Sequence, residues 1–376
     1  MPALLPSPDP DGLFEYSVVY TDRALNHMSA RFQAVMNDIS RIVKSAYNAH
    51  STVIVPGSGT FAMEAAARQF ATGQKCLILR NGWFSYRWTQ ILDMGQISRD
   101  ALVLKAVRLG SDPQAPFSPP PLQHVIETIK RDRPAIVFAP HVETASGIIL
   151  PDDYVRGVGA AVREVGGLFV LDCIASGTVW IDMADCRVDV LISAPQKGWS
   201  GPPCCGLVGL GERAYARIGE TKSSSFACDL LKWLQIMESY EKGGFAYHAT
   251  MPTDALVAVR DAMLATERFG FRRAAEQAKL LGSAVRDMLK QRGFPSVAAA
   301  GFDAPGVVVS YTTRPDIQSG KAFRDLGIQI AAGVPLQCDE GDDFRSFRIG
   351  LFGLDKLGDS ARTLEILRRS LDELQS

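Results

Sequence analysis

The sequence predicts an α/β fold, with a mostly parallel sheet in a large domain and a smaller C-terminal α+β domain. Three observations carry this expectation. Short continuous apolar runs alternate with amphipathic stretches, the pattern of strands covered on both faces by crossover helices. Near Met251-Pro252 the character changes and long helical periodicity takes over. The 376 residues, at about 150 per domain, suit two units, placed at 1–252 and 253–376, with 1–20 as an extended N-terminal arm.

The elements follow in order. Arg23 to Ala49 repeats Leu25, Met28, Phe32, Val35, Met36, Ile39 and Ile42 at three- and four-residue spacing, which predicts a helix. Thr52–Val55 reads as a strand, then the turn Pro56-Gly57-Ser58-Gly59-Thr60, then an Ala-rich helix from about Phe61 to Phe70. Cys76–Leu79, Ala101–Val107, Ala135–Ala139, Leu168–Asp172, Val188–Ser193 and Gly206–Leu210 read as short buried strands. Leu122–Arg131 and Tyr154–Val165 are amphipathic helical stretches between them. The C-terminal part predicts helix over about Thr253 to Arg292 with a break near Gly270. Strands at Val307–Tyr311, Ile328–Ala331 and Phe347–Leu351 follow, and a last helix runs from about Asp359 to Leu374.

Composition removes several classes. Lys and Arg number 40 against 41 Asp and Glu, a net charge of −1 spread along the chain, so no surface is built to neutralise a polyphosphate backbone. We expect no nucleic-acid partner. No apolar run nears the roughly 18–20 residues of a membrane helix, and the opening MPALLPSPDPDG has no basic n-region, so we expect neither a membrane span nor a signal peptide. Seven cysteines, without a CxxC pair or clustered His, point to a reducing cytoplasm and against a metal site. Cys173, Cys204 and Cys205 read as small packing residues.

Some glycine patterns mislead. Gly157-Val158-Gly159 lies inside a helical stretch, and Gly206, Gly209 and Gly211 open no helix, so neither has the strand–turn–helix context of a dinucleotide site. The turn Gly57-Ser58-Gly59-Thr60 does have it. It reads either as a phosphate seat at a helix N-terminus or as a helix capped by Ser58 or Thr60. No lysine follows in the Walker arrangement, which disfavours a nucleoside triphosphate. Asp172 closes a buried strand, where open α/β sheets bind ligands. The next strand leads into Ala194-Pro195-Gln196-Lys197-Gly198-Trp199, a constrained loop carrying one lysine. Together the pair could serve a pyridoxal cofactor, Lys197 by a Schiff base and Asp172 by an ion pair to the ring nitrogen. Taken alone, they could equally be a surface lysine and a capping acid.

In combination these segments resemble class V aminotransferases of fold type I, in the alanine–glyoxylate and serine–pyruvate group. The resemblance runs from about Thr52 to Gly353. It implies pyridoxal 5′-phosphate as cofactor, with Ser58, Gly59 and Thr60 cradling its phosphate. Within Asn81-Gly82-Trp83-Phe84-Ser85-Tyr86-Arg87 it selects Phe84 to stack on the ring. Within Glu143-Thr144-Ala145-Ser146-Gly147 it selects Thr144 as the hydroxyl that reaches the cofactor. Asp172 matches the pyridinium partner, Ile174 the aliphatic residue on the opposite ring face, Gln196 a phosphate-side donor and Lys197 the Schiff-base lysine. Tyr247 and Thr250 match residues that grip the phosphate of the other subunit, which implies a homodimer with shared active sites. Arg348, in Phe347-Arg348-Ile349-Gly350, matches the substrate carboxylate clamp.

The implied function is transamination from a small amino acid of the alanine or serine type to a 2-oxo acid of the glyoxylate or pyruvate type. Lys197 and Asp172 are then the catalytic residues. An aminophosphonate transaminase or a lyase of the same fold are the alternatives, and a catalytically silent homologue a further one. Lyase and desulfurase relatives carry His where this chain has Phe84 and Gln196, which argues for transamination. Arg87 reads as a structural ion-pair residue. The family's N-terminal Pro-Gly-Pro has only a loose analogue in Pro6–Gly12, and Ser223–Gly244, with Trp233, Met237 and Tyr240, maps to no role.

Overall fold

The computed structural model describes residues 13–375. The Pro6–Gly12 analogue and most of the expected N-terminal arm lie outside the described residues. Strands are numbered here for the two larger sheets, and helices without the shorter helical turns.

Seven strands build the large sheet: β1 (Ser51–Pro56), β2 (Cys76–Arg80), β3 (Ala101–Lys105), β4 (Ile136–Pro140), β5 (Leu168–Asp172), β6 (Val190–Ser193) and β7 (Cys205–Leu210). Their order is β1-β7-β6-β5-β4-β2-β3. β7 runs antiparallel to both its neighbours, and every other pairing is parallel. The carboxyl ends of β1, β2, β4, β5 and β6 therefore share one edge. The helices before, between and after them are α1 (Ala30–Tyr47), α2 (Gly59–Phe70), α3 (Trp83–Met94), α4 (Leu122–Asp132), α5 (Asp152–Glu164), α6 (Glu212–Ile218) and α7 (Leu230–Glu241). The expected mostly parallel α/β sheet is present.

The strands are legible because both faces are covered. Leu77, Ile78, Phe138, Phe169, Val170, Leu171 and Ile192 are all fully buried in one apolar cluster. Trp88 of α3 stacks on Phe138 at 4.2 Å between ring centroids, fastening that helix to the sheet.

Beyond residue 252 come α8 (Thr253–Phe269) and α9 (Phe271–Gln291), separated at Gly270 where φ is +97°. Glycine adopts that angle without the Cβ clash other residues meet. Leu256, Val259 and Met263 of α8 join the large cluster, whereas Ala274, Leu281, Val285 and Leu289 of α9 join a second. A three-stranded antiparallel sheet follows, β8 (Val307–Tyr311), β9 (Ala331–Ala332) and β10 (Ser346–Gly350), in the order β8-β10-β9. The last helix, α10, spans Ser360–Gln375.

Three expectations need correction. α1 begins at Ala30 rather than near Arg23, because Ser29 caps it by accepting the Phe32 N–H at 3.1 Å. The strand expected over Ile328–Ala331 is only the edge pair Ala331–Ala332, both residues exposed, so little burial holds it. The strand expected through Val107 stops at Lys105, and Val107–Arg108 pairs instead with Phe117–Ser118.

The unassigned stretch 223–244 is now explained. It contains α7, capped by Asp229, whose side chain accepts the Lys232 N–H at 3.1 Å. Trp233, Met237 and Tyr240 are core residues of the large cluster. No helix among the described residues is long and apolar enough to cross a membrane.

Removing the Trp88–Phe138 stack should expose how much that contact holds. Trp88→Ala is expected to cost about 3–5 kcal/mol, read as a lowered urea midpoint, and a loss under 1 kcal/mol would mean the cavity closes.

Candidate active site

At the shared carboxyl edge, the loops after β1, β2, β4, β5 and β6 enclose a cavity of about 230 Å³. It lies where open α/β sheets place their ligands. Ser58, Gly59, Thr60, Phe84, Thr144, Asp172, Ile174, Gln196 and Lys197 all line it. Met63, Arg87, Val142 and Ala175 complete the lining. The one sequence signal for Met63 is its place one turn after Gly59 on α2.

One wall is the start of α2. Gly57 makes the turn out of β1 at φ +117° and donates its N–H to the Cys204 carbonyl at 2.9 Å. Ser58 occupies the N-cap but makes no side-chain capping bond, so its hydroxyl and the first-turn N–H groups remain available to an anion. Gly59 packs closely against Ile174: a Cβ there would stand 2.6 Å from Ile174 Cδ1, and that side chain would have to shift.

Asp172 ends β5, the central strand. Its side chain is 7% exposed and its Oδ1 accepts the Ile174 N–H at 2.9 Å. No cationic side chain pairs with it among the described residues. Its carboxyl is raised to about 7 on balance: burial raises it most, the Ile174 hydrogen bond pulls it back, Glu143 raises it and Arg87 lowers it. A buried acid held this way is suited to receive a cation.

Lys197 follows β6 in a loop that cannot move freely. Trp199 is fully buried, donates its ring N–H to Ser193 Oγ at 3.3 Å, and lies 4.7 Å from Trp180 between centroids. At Gly198 any Cβ would overlap the Gly177 carbonyl, so backbone meets backbone. The lysine amine lies 5.3 Å from the Phe352 ring centroid. Burial, then Arg348 and Arg87, lower its pKa, which enlarges the neutral, nucleophilic fraction.

A buried tie holds the opposite wall. Glu143 is fully buried. Its Oε1 accepts the N–H groups of Phe84 (3.2 Å) and Ala145 (2.9 Å). Its Oε2 accepts the Ser85 N–H (2.8 Å) and hydroxyl (2.7 Å). One carboxylate thus caps α3 and fixes both Phe84 and the turn bearing Thr144. Nothing in the sequence marked that connection except the residue's place beside Thr144.

Arg348 does not line the cavity itself. It sits beside it on β10, its Nε donating to the Ala332 carbonyl at 2.8 Å and its Cζ 5.4 Å from the Phe84 centroid. Burial lowers its pKa. Arg87, expected to form a structural ion pair, has no carboxylate partner among the described residues, because it turns toward the cavity. Tyr247 and Thr250 do not line it either. Their hydroxyls bond to each other at 2.9 Å, and Tyr247 is 54% exposed.

The arrangement can seat a flat ligand that brings an anion to α2 and a protonated nitrogen to Asp172, with a reactive carbon toward Lys197. Its pH signature is specific. A carboxyl raised from 3.8 to about 7 binds extra protons in the folded chain, so its penalty is absent below about 4 and complete above about 7. Asp172→Asn should therefore be more stable than the ligand-free parent at pH 7.5, with the gap closing by pH 4.5. Urea unfolding at both values checks this, and a pH-independent gap would contradict the assignment.

Residues 13–333 match the family model described as Aminotransferase class-V. The alanine–glyoxylate aminotransferase of Rattus norvegicus is 24% identical over 363 residues, covering 93% of this chain and 82% of the relative. A 2-aminoethylphosphonate–pyruvate transaminase of Syntrophobacter fumaroxidans is 28% identical over 333 residues, covering 85% and 84%. Among solved structures, the alanine–glyoxylate aminotransferase of Nostoc sp. superposes with a TM-score of 0.79 at 23% identity, over 93% of this chain and 89% of that one. That likeness carries the fold, and the family match carries the lineage: the chain belongs to the class-V aminotransferases.

Proposed function

We propose that the protein is a pyridoxal 5′-phosphate-dependent aminotransferase that moves an amino group from a small amino acid to a small 2-oxo acid, alanine or serine to glyoxylate or pyruvate. The observation that carries this is the buried Asp172 without a cation, in one cavity with the depressed amine of Lys197 and the uncapped start of α2. The donor set fits the cofactor: an acid for the ring nitrogen, hydroxyls and helix N–H groups for the phosphate, and apolar walls at Phe84 and Ile174. When bound, pyridoxal phosphate supplies an electron sink for a substrate carbanion.

The chain's residues do the rest. Asp172 holds the proton on the ring nitrogen, since an ion pair in low dielectric favours the charged forms of both partners. Lys197 would hold the cofactor through its side-chain amine, and the same amine would take the proton from substrate Cα and return it, as base and acid. Arg348 takes the substrate carboxylate by two parallel hydrogen bonds and so orients the Cα–H bond. Tyr247 and Thr250 serve the neighbouring subunit of a homodimer. The exposed Phe226, Phe245 and Tyr247 give that partner an apolar surface to cover.

An aminophosphonate donor is the second reading, favoured by the 28% identity to the phosphonate transaminase. A guanidinium at position 348 suits either anion. Alanine assayed against glyoxylate, and serine and 2-aminoethylphosphonate each assayed against pyruvate and glyoxylate, separate the two.

Lys197→Ala should lose the visible absorbance of attached cofactor and lower turnover by at least about 10²–10⁴-fold, with circular dichroism unchanged. Residual turnover within tenfold of the parent would remove Lys197 from its role. Sedimentation of the holoenzyme should give a dimer, and an active monomer would withdraw Tyr247 and Thr250.

A further inference from the structure

We propose that Arg87 is the counter-ion of the anion seated at the start of α2, which in the reading above is the cofactor phosphate. The assignment rests on that reading and extends it to a residue for which the motifs gave no such role.

The geometry is specific. Arg87 Nη1 donates to Thr60 Oγ1 at 3.2 Å, reaching from α3 to the first turn of α2. Its Cζ stands 4.7 Å from the centroid of Phe84, three residues earlier on the same helix. Helical side chains lean toward the N-terminus, so the guanidinium folds back over that ring and into the cavity. Of the two arginines beside Phe84, only Arg87 lines the cavity.

Charge bookkeeping favours an anion there. The other donors of the cradle, Ser58, Thr60, Gln196 and the helix N–H groups, are neutral. A phosphate carries close to two negative charges, and a desolvated anion of that size is held best by charge-assisted hydrogen bonds. A guanidinium near the start of α3 also faces the positive end of that helix dipole. Among the described residues no carboxylate pairs with it to offset this. A bound anion would.

The test compares two vitamers on the cofactor-free protein, pyridoxal 5′-phosphate and pyridoxal, which lacks the phosphate. Arg87→Gln should weaken binding of the phosphorylated form by about 10- to 100-fold, the scale of hydrogen bonds to a charged group, and leave pyridoxal binding unchanged. Arg87→Lys should recover part of the loss. Equal losses for both vitamers would make Arg87 a support for Phe84 and overturn the proposal. So would unchanged cofactor affinity with a raised KM for the amino acid, which would place Arg87 on the substrate. Tighter cofactor binding would mark it as a displaced placeholder and overturn it too. If the unsubstituted protein binds neither vitamer, the functional reading fails, and the assignment with it.

Discussion

The site is organised around a carboxyl group that the fold buries without giving it a cation. Taking a carboxylate out of water is costly unless it is paired or neutralised. Asp172 has one backbone hydrogen bond, from Ile174, and the nearby charge of Glu143 makes its ionisation harder still. The position is imposed by the sheet. β5 is flanked by β4 and β6 in parallel register, with Pro140 and Ile192 opposite Asp172, so the acid stands at the middle of the sheet's carboxyl edge. A protein can keep such a group only as a neutral acid or as half of an ion pair completed by something else. The remaining walls are consistent with the second.

What completes the pair has to fit a small space between closely packed loops. Gly59 meets the Ile174 side chain, and Gly198 meets the Gly177 carbonyl, so two of the site's loops touch where a methyl group would intrude. Trp199 locks the lysine loop to Ser193 and Trp180. Glu143 locks the start of α3 to the loop after β4. Each tie is made of buried, satisfied groups, and together they hold Lys197, Phe84 and Asp172 on separate elements against one small volume. Precise placement on rigid supports is what a proton transfer at carbon demands.

How much of this the sequence disclosed depends on what kind of contact each residue makes. Strands such as Leu168–Asp172 were readable because burial on both faces writes an unbroken apolar run, and the break at Gly270 because a glycine interrupts a long periodic helix. α3 was not readable. Its residues Trp83–Met94 mix rings, hydroxyls and charges because one side packs on the sheet while the other faces the cavity. The antiparallel direction of β7 left no trace in composition, since direction is set by its connections and not by its side chains. Lys197 and Asp172 were legible by their positions at neighbouring strand ends. Arg87 was misread as an ion-pair residue because an arginine's partner is decided by which way its long side chain folds, and no spacing rule encodes that. Trp233, Met237 and Tyr240 mapped to no role and are core, which an aromatic-rich helix cannot announce by itself.

The charges around the cavity also bear on one another. Lys197, Arg87 and Arg348 stand near two buried acids, Asp172 and Glu143, and Arg87 acts on both Asp172 and the amine. Arg87 helps Asp172 ionise and depresses Lys197. Before an anion arrives, burial and both arginines lower the pKa of Lys197. An anion seated against Arg87 cancels part of the field that depresses the amine. Lys197 is then left with burial and Arg348 as its depressing influences, and its basicity recovers. In this account, binding at α2 and proton affinity at position 197 are coupled through one guanidinium.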